Sequence, residues 1–171
     1  MNSKLRAHGN RVRYLRLSLT PGCAMRCVYC RPALDTGMDR EGLMSPAELE
    51  LVVRHLVARH GFRKVRLTGG DPSSRPDLLE IIERIGRIEA IDDLAMTTHG
   101  LALAKHAHAW KRAGLHRVNV SLDSLDPARF ARITGVRGLD RVIDGIDTAR
   151  AAGLGPIKLN TVVLRDENFD E

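Results

Sequence analysis

The sequence predicts an α/β fold, a parallel sheet wound by right-handed crossovers into part of a (β/α) TIM-type barrel. Three observations carry that expectation. Strand-like runs at 12–20, 64–68, 93–97, 117–122 and 157–164 alternate with stretches of helical spacing. Those strands alternate polar with apolar residues, whereas parallel strands covered on both faces are usually apolar throughout. A loop rich in cysteine follows the first strand directly, at the end where such barrels carry their active sites.

Taken in order, the first strand sets Leu15, Leu17 and Leu19 against Arg16, Ser18 and Thr20. Ser45 and Glu48 form a capping box, Pro46 takes the first helical position, and Leu49, Val52, Val53, Leu56 and Val57 make one apolar stripe. The second strand places Val65 and Leu67 opposite Lys64, Arg66 and Thr68. Pro76 is expected to open a second helix that buries Leu78, Leu79, Ile81, Ile82 and Ile85. A third strand covers 93–97, and a third helix runs from Leu101 to Ala113, closed by Gly114. The fourth strand opposes Val118, Val120 and Leu122 to Asn119, Ser121 and Asp123. Asp126 before Pro127 reads as an N-cap, and the helical pattern resumes at Leu139, Val142, Ile143 and Ile146 to stop at Gly153. The fifth strand sets Ile157 and Leu159 against Lys158 and Asn160.

Helices must cover the apolar face of this sheet, so the polar set gathers on the other. The plain reading is a one-layer sheet with a solvated face. The sharper one is a lumen into which Arg16, Arg66 and Lys158 all point, and three buried cations without counter-ions imply an anionic ligand.

Composition bounds the rest. Residues 1–171 read as one domain with a formal charge of +6. No apolar run approaches the ~20 residues of a membrane span, and the polar, basic start of the chain lacks a signal-peptide core, so a cytoplasmic protein is expected. Aromatic residues make up only 4% and no basic run is interleaved with them, which argues against a nucleic-acid platform.

The three cysteines, Cys23, Cys27 and Cys30, are odd in number and lie within eight residues, so they suggest a metal or redox site rather than a disulfide framework. Thiolates bind zinc and iron–sulfur clusters alike. A structural zinc site wants four protein ligands, but the sequence has no fourth cysteine, and the nearest histidines, His8 and His55, stand in other segments. Three thiolates on a four-iron cluster leave one iron open for chemistry.

The Cys-x3-Cys-x2-Cys spacing with Tyr29 before the last cysteine resembles the radical S-adenosylmethionine (SAM) superfamily, as does Gly69-Gly-Asp-Pro72 after the second strand, where the family has Gly-Gly-Glu-Pro. Within it the chain is similar to the GTP 3′,8-cyclase family of molybdenum-cofactor biosynthesis. Tyr14-Leu-Arg-Leu-Ser18, Lys64-Val-Arg-Leu-Thr-Gly-Gly70, Leu94-Ala-Met-Thr-Thr-His-Gly100, Arg117-Val-Asn-Val-Ser-Leu-Asp-Ser124 and Ile157-Lys-Leu-Asn160 carry that similarity. The resemblance implies a [4Fe-4S] cluster on Cys23, Cys27 and Cys30, SAM against Tyr29, Gly70 and Ser121, and GTP against Arg16, Arg66, Thr97 and Lys158. It implies a radical SAM lyase in which a 5′-deoxyadenosyl radical starts conversion of GTP to (8S)-3′,8-cyclo-7,8-dihydroguanosine 5′-triphosphate. Expected partners are GTP, a reductant protein for the cluster and a second copy in a homodimer, without nucleic acid or membrane. No catalytic side chain is assigned, although Asp123 is a candidate.

Several residues depart from the family pattern. Thr20-Pro-Gly22 precedes the first cysteine where the family has Thr-Asp-Arg, His99 stands for an asparagine, Asp71 for a glutamate, and Ser73 with Ser74 for an apolar pair. The family's sixth strand and its C-terminal region with three more cysteines have no counterpart here, so a barrel truncated after the fifth strand is expected, from a fragment or a shortened paralogue, with an exposed strand edge. Two alternatives use the same residues: another radical SAM enzyme or a SAM-binding fragment, and a zinc or basic nucleic-acid module. His55, His60, His106, His108 and His116 read as surface residues, and Met25 as packing or a cluster shield.

Overall fold

The computed structural model describes residues 14–30 and 42–171, with the backbone of residues 6–7 and 10–11. The expected strand start at Val12, most of the basic N-terminal segment and His8 lie outside the described residues. Short strands β1 (Arg6–Ala7) and β2 (Asn10–Arg11) pair antiparallel. The main sheet is five-stranded, all parallel and in chain order: β3 (Tyr14–Ser18), β4 (Lys64–Thr68), β5 (Asp93–Thr98), β6 (Arg117–Ser121) and β7 (Lys158–Asn160). Helices α1 (Pro46–His60), α2 (Leu78–Gly86), α3 (Leu103–Arg112), and the pair α4 (Pro127–Thr134) and α5 (Leu139–Ala151) form the crossovers. This is the partial (β/α) barrel that the alternating pattern predicted.

The core lies between the helices and the apolar rows Val65, Leu67, Leu94, Met96, Val118 and Val120, all fully buried. Leu78, Ile81, Ile82 and Ile85 of α2 are buried, each contributing about 1.5–3 kcal/mol, whereas Leu79, expected among them, is 41% exposed. The capping box of α1 is complete: Glu48 N donates to Ser45 Oγ at 3.3 Å while Ser45 N donates to the Glu48 carboxylate at 2.7 Å.

Several boundaries differ from the sequence reading. The first strand ends at Ser18, because the chain turns at Thr20 toward the cysteine loop. Pro76 does not open α2, which starts at Leu78 after a separate 3-10 turn at Pro72–Ser74. Asp77 stands at the helix N-terminus without capping it, since its carboxylate is held by Arg75 Nε at 2.8 Å. The third helix begins at Leu103 rather than Leu101, behind Gly100 at φ +88. The fifth strand is three residues, not eight: the last ladder bond is Leu122 N to Asn160 O at 3.0 Å, and Val162 N then turns to the Asp123 carboxylate at 2.9 Å. All three residues of β7 are exposed at the sheet's edge, as the sequence predicted.

Candidate functional site

The cysteine loop is fastened mainly by backbone. Gly70 N donates to Thr20 O at 2.7 Å and Asp71 N to Gly22 O at 2.8 Å, zipping the turn after β4 against the start of the loop. Only glycine permits this approach. A Cβ at Gly69, whose φ is +148, would overlap Thr20 O, and one at Gly70 would overlap the carbonyl oxygens of Pro21 and Gly22. Pro21 and Gly22 therefore serve the turn, with Gly22 N bonded to Thr20 Oγ1 at 3.1 Å. The far half of the loop leans on the end of α4, where Arg26 N reaches Thr134 O at 2.8 Å and Val28 N reaches Ile133 O at 2.9 Å.

Between these fastenings sit the thiols. Cys23 and Cys30 are exposed, Cys27 is half-buried, and none is in a disulfide. Burial pushes the Cys23 thiol up, opposed by Met25 N at 3.4 Å and reinforced by Asp71 and the other cysteines. Burial likewise raises Cys27, partly offset by the Tyr29 hydroxyl beside it. Metal binding must displace these protons. Among the described residues no three His, Cys, Asp or Glu side chains group closely enough to hold one metal ion. A four-iron cluster takes each thiolate on a different iron, and three cysteines on one loop supply them. The donor set fits the cluster.

Tyr29 donates its hydroxyl to Asp123 Oδ2 at 2.6 Å, and burial followed by that carboxylate raises its pKa strongly. Gly70 sits on the turn after β4 and Ser121 ends β6, so the parallel sheet brings both to the same end as the cysteine loop. Asp123, 4% exposed, also accepts from Val162 N, which gives it a structural role at this end of β6. Asp126 caps α4 through Arg129 N at 2.7 Å, and Met25 is packed into the core.

The polar face is organised in rows. Arg16 pairs in register with Arg66, Arg66 with Ala95, and Ala95 with Arg117. Residues in register share a face, about 4.8 Å apart. Thr97 pairs with Asn119, and Asn119 with Lys158, forming a row two residues closer to the cysteine loop, about 6.6 Å away. Lys158 thus shares a face with the arginines but not a row, and the triplet expected to be buried together is spread over two levels, with Arg16 and Lys158 exposed and only Arg66 half-buried. Arg66 lies over the Tyr14 ring at 5.5 Å, and its Nε is buried without a partner. An unsatisfied buried donor of this kind costs about 1–3 kcal/mol and points to an acceptor from outside the chain.

Two charged residues on this face escaped the sequence reading. Asp93 and Arg117 form a bidentate pair, Nε to Oδ1 at 2.9 Å and Nη2 to Oδ2 at 2.6 Å, and Arg117 holds the Asp93 carboxyl below its usual range. Their parity with Thr97 and Asn119 was the available signal.

Asp71, 2% exposed, is turned inward. It accepts from Ser73 N at 2.8 Å, Ser73 Oγ at 2.6 Å, Thr98 Oγ1 at 3.0 Å and His99 N at 2.6 Å. Ser73 thus has a purpose that the sequence left unassigned, and Asp71 ties the β4 turn to the end of β5. His99 accepts from Leu101 N through Nδ1 at 3.2 Å, while its buried Nε2 lacks a hydrogen-bond partner 3.6 Å from Asp71. The remaining histidines are peripheral: His55, His60, His108 and His116 are exposed, and His106 stacks on Trp110 at 5.4 Å.

Comparison with known proteins gives a consistent result. A family model described as the radical SAM superfamily matches residues 17–171. A GTP 3′,8-cyclase of Rhodopirellula baltica is 46% identical over 158 residues, covering 92% of this chain and 44% of that protein. GTP 3′,8-cyclase 1 of Pseudomonas aeruginosa is 43% identical over 171 residues, covering 100% of this chain and 52% of its own length. The chain spans about half the length of the curated relatives it matches. Among solved structures, Streptococcus suis SuiB bound to S-adenosylmethionine superposes with a TM-score of 0.73 at 20% identity, covering 92% of this chain and 36% of that one. Methylornithine synthase PylB superposes at 0.68 with 17% identity, covering 90% and 46%. At such identities the structural likeness concerns the fold alone.

Proposed function

The chain belongs to the radical SAM superfamily, and from that premise we propose that residues 1–171 form the radical SAM core of a GTP 3′,8-cyclase. Similarity to curated cyclases over 92% and 100% of the chain supports this reading. The observation that carries the substrate is the two-level cationic face with the unpartnered Nε of Arg66. A planar guanidinium fork and a lysine ammonium suit a polyphosphate by charge and hydrogen bonding.

Cys23, Cys27 and Cys30 would hold a [4Fe-4S] cluster. With SAM bound, such a cluster would supply the hydrogen-abstracting radical chemistry from which cyclisation of GTP starts. The chain's own residues bind and orient. Tyr29, Gly70 and Ser121, together at the loop end of the sheet, would line SAM. Arg16 and Arg66 would take the triphosphate at the deeper level, with Thr97 and Lys158 above them. This spread along the strands suits an extended substrate better than a compact anion. The fastened loop keeps the thiols in place. The cytoplasmic setting, the reductant protein and the homodimer belong to the same proposal.

Anaerobic reconstitution followed by titration with GTP tests the reading. The expected outcome is a brown protein with about four irons per chain, whose melting temperature rises with GTP but not with guanosine. A colourless protein that takes up zinc and no iron would remove the cluster, and no response to millimolar GTP would remove the substrate.

A further inference from the structure

Main-chain bonds grip positions 20, 22, 26 and 28, and Cys30 N donates to Cys27 O at 2.9 Å, closing the turn that carries the last two cysteines. The side chain between them ties that turn to a distant part of the chain. Tyr29 Oη gives its single proton to Asp123 Oδ2 at 2.6 Å and lies beside the Cys27 sulfur. Asp123 is itself locked. Its Oδ1 accepts from Val162 N at 2.9 Å, its backbone carbonyl accepts from Asn168 Nδ2 at 2.6 Å, and the preceding carbonyl of Leu122 accepts from Thr161 Oγ1 at 2.7 Å. A buried carboxylate with both oxygens used, joining three separate segments, is a rigid anchor rather than a free acid.

We infer that Asp123 is a positioning residue for the cluster: by holding the Tyr29 hydroxyl against the segment after β7, it fixes the turn that carries Cys27 and Cys30. Its role is to hold the Tyr29 side chain in place. The inference rests on the cluster reading above. It adds that the stretch 161–168, which carries no ligand, controls how firmly the cluster is retained.

The test is the rate at which the reconstituted chain yields iron to a ferrous chelator under argon, with the EPR spectrum of the reduced cluster as a second readout. Residues behind metal ligands typically change affinity 10–100-fold, so Y29F and D123A should each release iron about tenfold faster than wild type. Because both remove the same contact, the double variant should release iron no faster than D123A alone. D123N should stay close to wild type, its amide oxygen still accepting from Val162 N while its NH2 group donates to the Tyr29 oxygen. Y29F, which leaves the Asp123–Val162 contact intact, should also shift the EPR spectrum, and simple loss of fold stability would not. Iron release from Y29F at the wild-type rate, or effects of Y29F and D123A that multiply, would overturn the inference alone. A wild-type chain that takes up no iron would overturn the cluster reading and this inference with it.

Discussion

Replacing Gly70 by alanine should unfasten the cysteine loop from the β4 turn. Backbone strain is not the reason, because the added methyl acts by collision. It would overlap the carbonyl oxygens of Pro21 and Gly22 and lie 2.8 Å from the Gly22 carbonyl carbon, all backbone atoms that no rotamer change can move aside. The strands must part, and two hydrogen bonds go with them, Gly70 N to Thr20 O and Asp71 N to Gly22 O. Each such bond contributes about 0.5–1.5 kcal/mol, and overpacking costs typically about 1–3 kcal/mol, so a loss of about 2–6 kcal/mol is expected. For a domain of this size 1 kcal/mol corresponds to about 2–4 °C, which places the fall in melting temperature at about 4–24 °C. Thermal unfolding of the metal-free chain followed by circular dichroism measures it. The same variant should retain less iron after anaerobic reconstitution, since the loop loses its front attachment. A melting temperature within 2 °C of wild type, with normal iron uptake, would show that the two turns are not in the contact described.

Three further outcomes follow from the polar face and its surroundings. Arg66→Met removes a buried donor that lacks a partner, so the unliganded chain should be as stable as wild type or slightly more so, while the GTP-induced rise in melting temperature falls by at least half. The Asp93 carboxyl is held low by Arg117, so the unfolded chain binds the extra proton. The pair's stabilisation is complete above about pH 4 and is lost as pH falls through the lower folded value. Asp93→Asn should flatten that acid limb in a stability–pH profile and cost about 1–3 kcal/mol at pH 7. Burial holds the His99 imidazole below its ordinary pKa, outweighing the opposing effect of Asp71, so stability should decline as pH drops through about 6.5, and His99→Gln should remove that decline in denaturant titrations at pH 5 to 8.

Much of the fold was legible because local and global signals agreed. Alternation in Val65–Thr68 and Val118–Ser121 marked both the strands and the face that helices cover, and the Ser45–Glu48 box marked the start of α1 to the residue. The reading failed where a side chain outbid the local rule. Pro76 followed by Asp77 has the form of a helix start, but Arg75 takes the aspartate and the helix waits until Leu78. Thr161 to Leu164 is apolar and branched enough to continue β7, yet Val162 N finds a carboxylate 39 positions back in the chain. Parity could say that Arg16, Arg66 and Lys158 share a face, but the level of each depends on register, which only the ladder fixes. Asp93 and Arg117 went unread because a charge at a strand's beginning is ordinarily solvated, and nothing local reveals that the two meet.

The fastening of the cysteine loop at both ends has a consequence for its tolerance of change. Thr20, Gly22, Ile133 and Thr134 hold their partners through carbonyl oxygens, which every amino acid possesses. The grip therefore recognises the course of the chain and is blind to the identity of most residues along it. Ala24, Arg26 and Val28, all exposed, can be rewritten in composition and charge without redrawing the curve on which the thiols stand, save that proline would remove the N–H that Arg26 and Val28 donate. Such a loop is a mould with an open vocabulary. Its grammar is confined to three cysteines, two glycines across the gap, and one tyrosine.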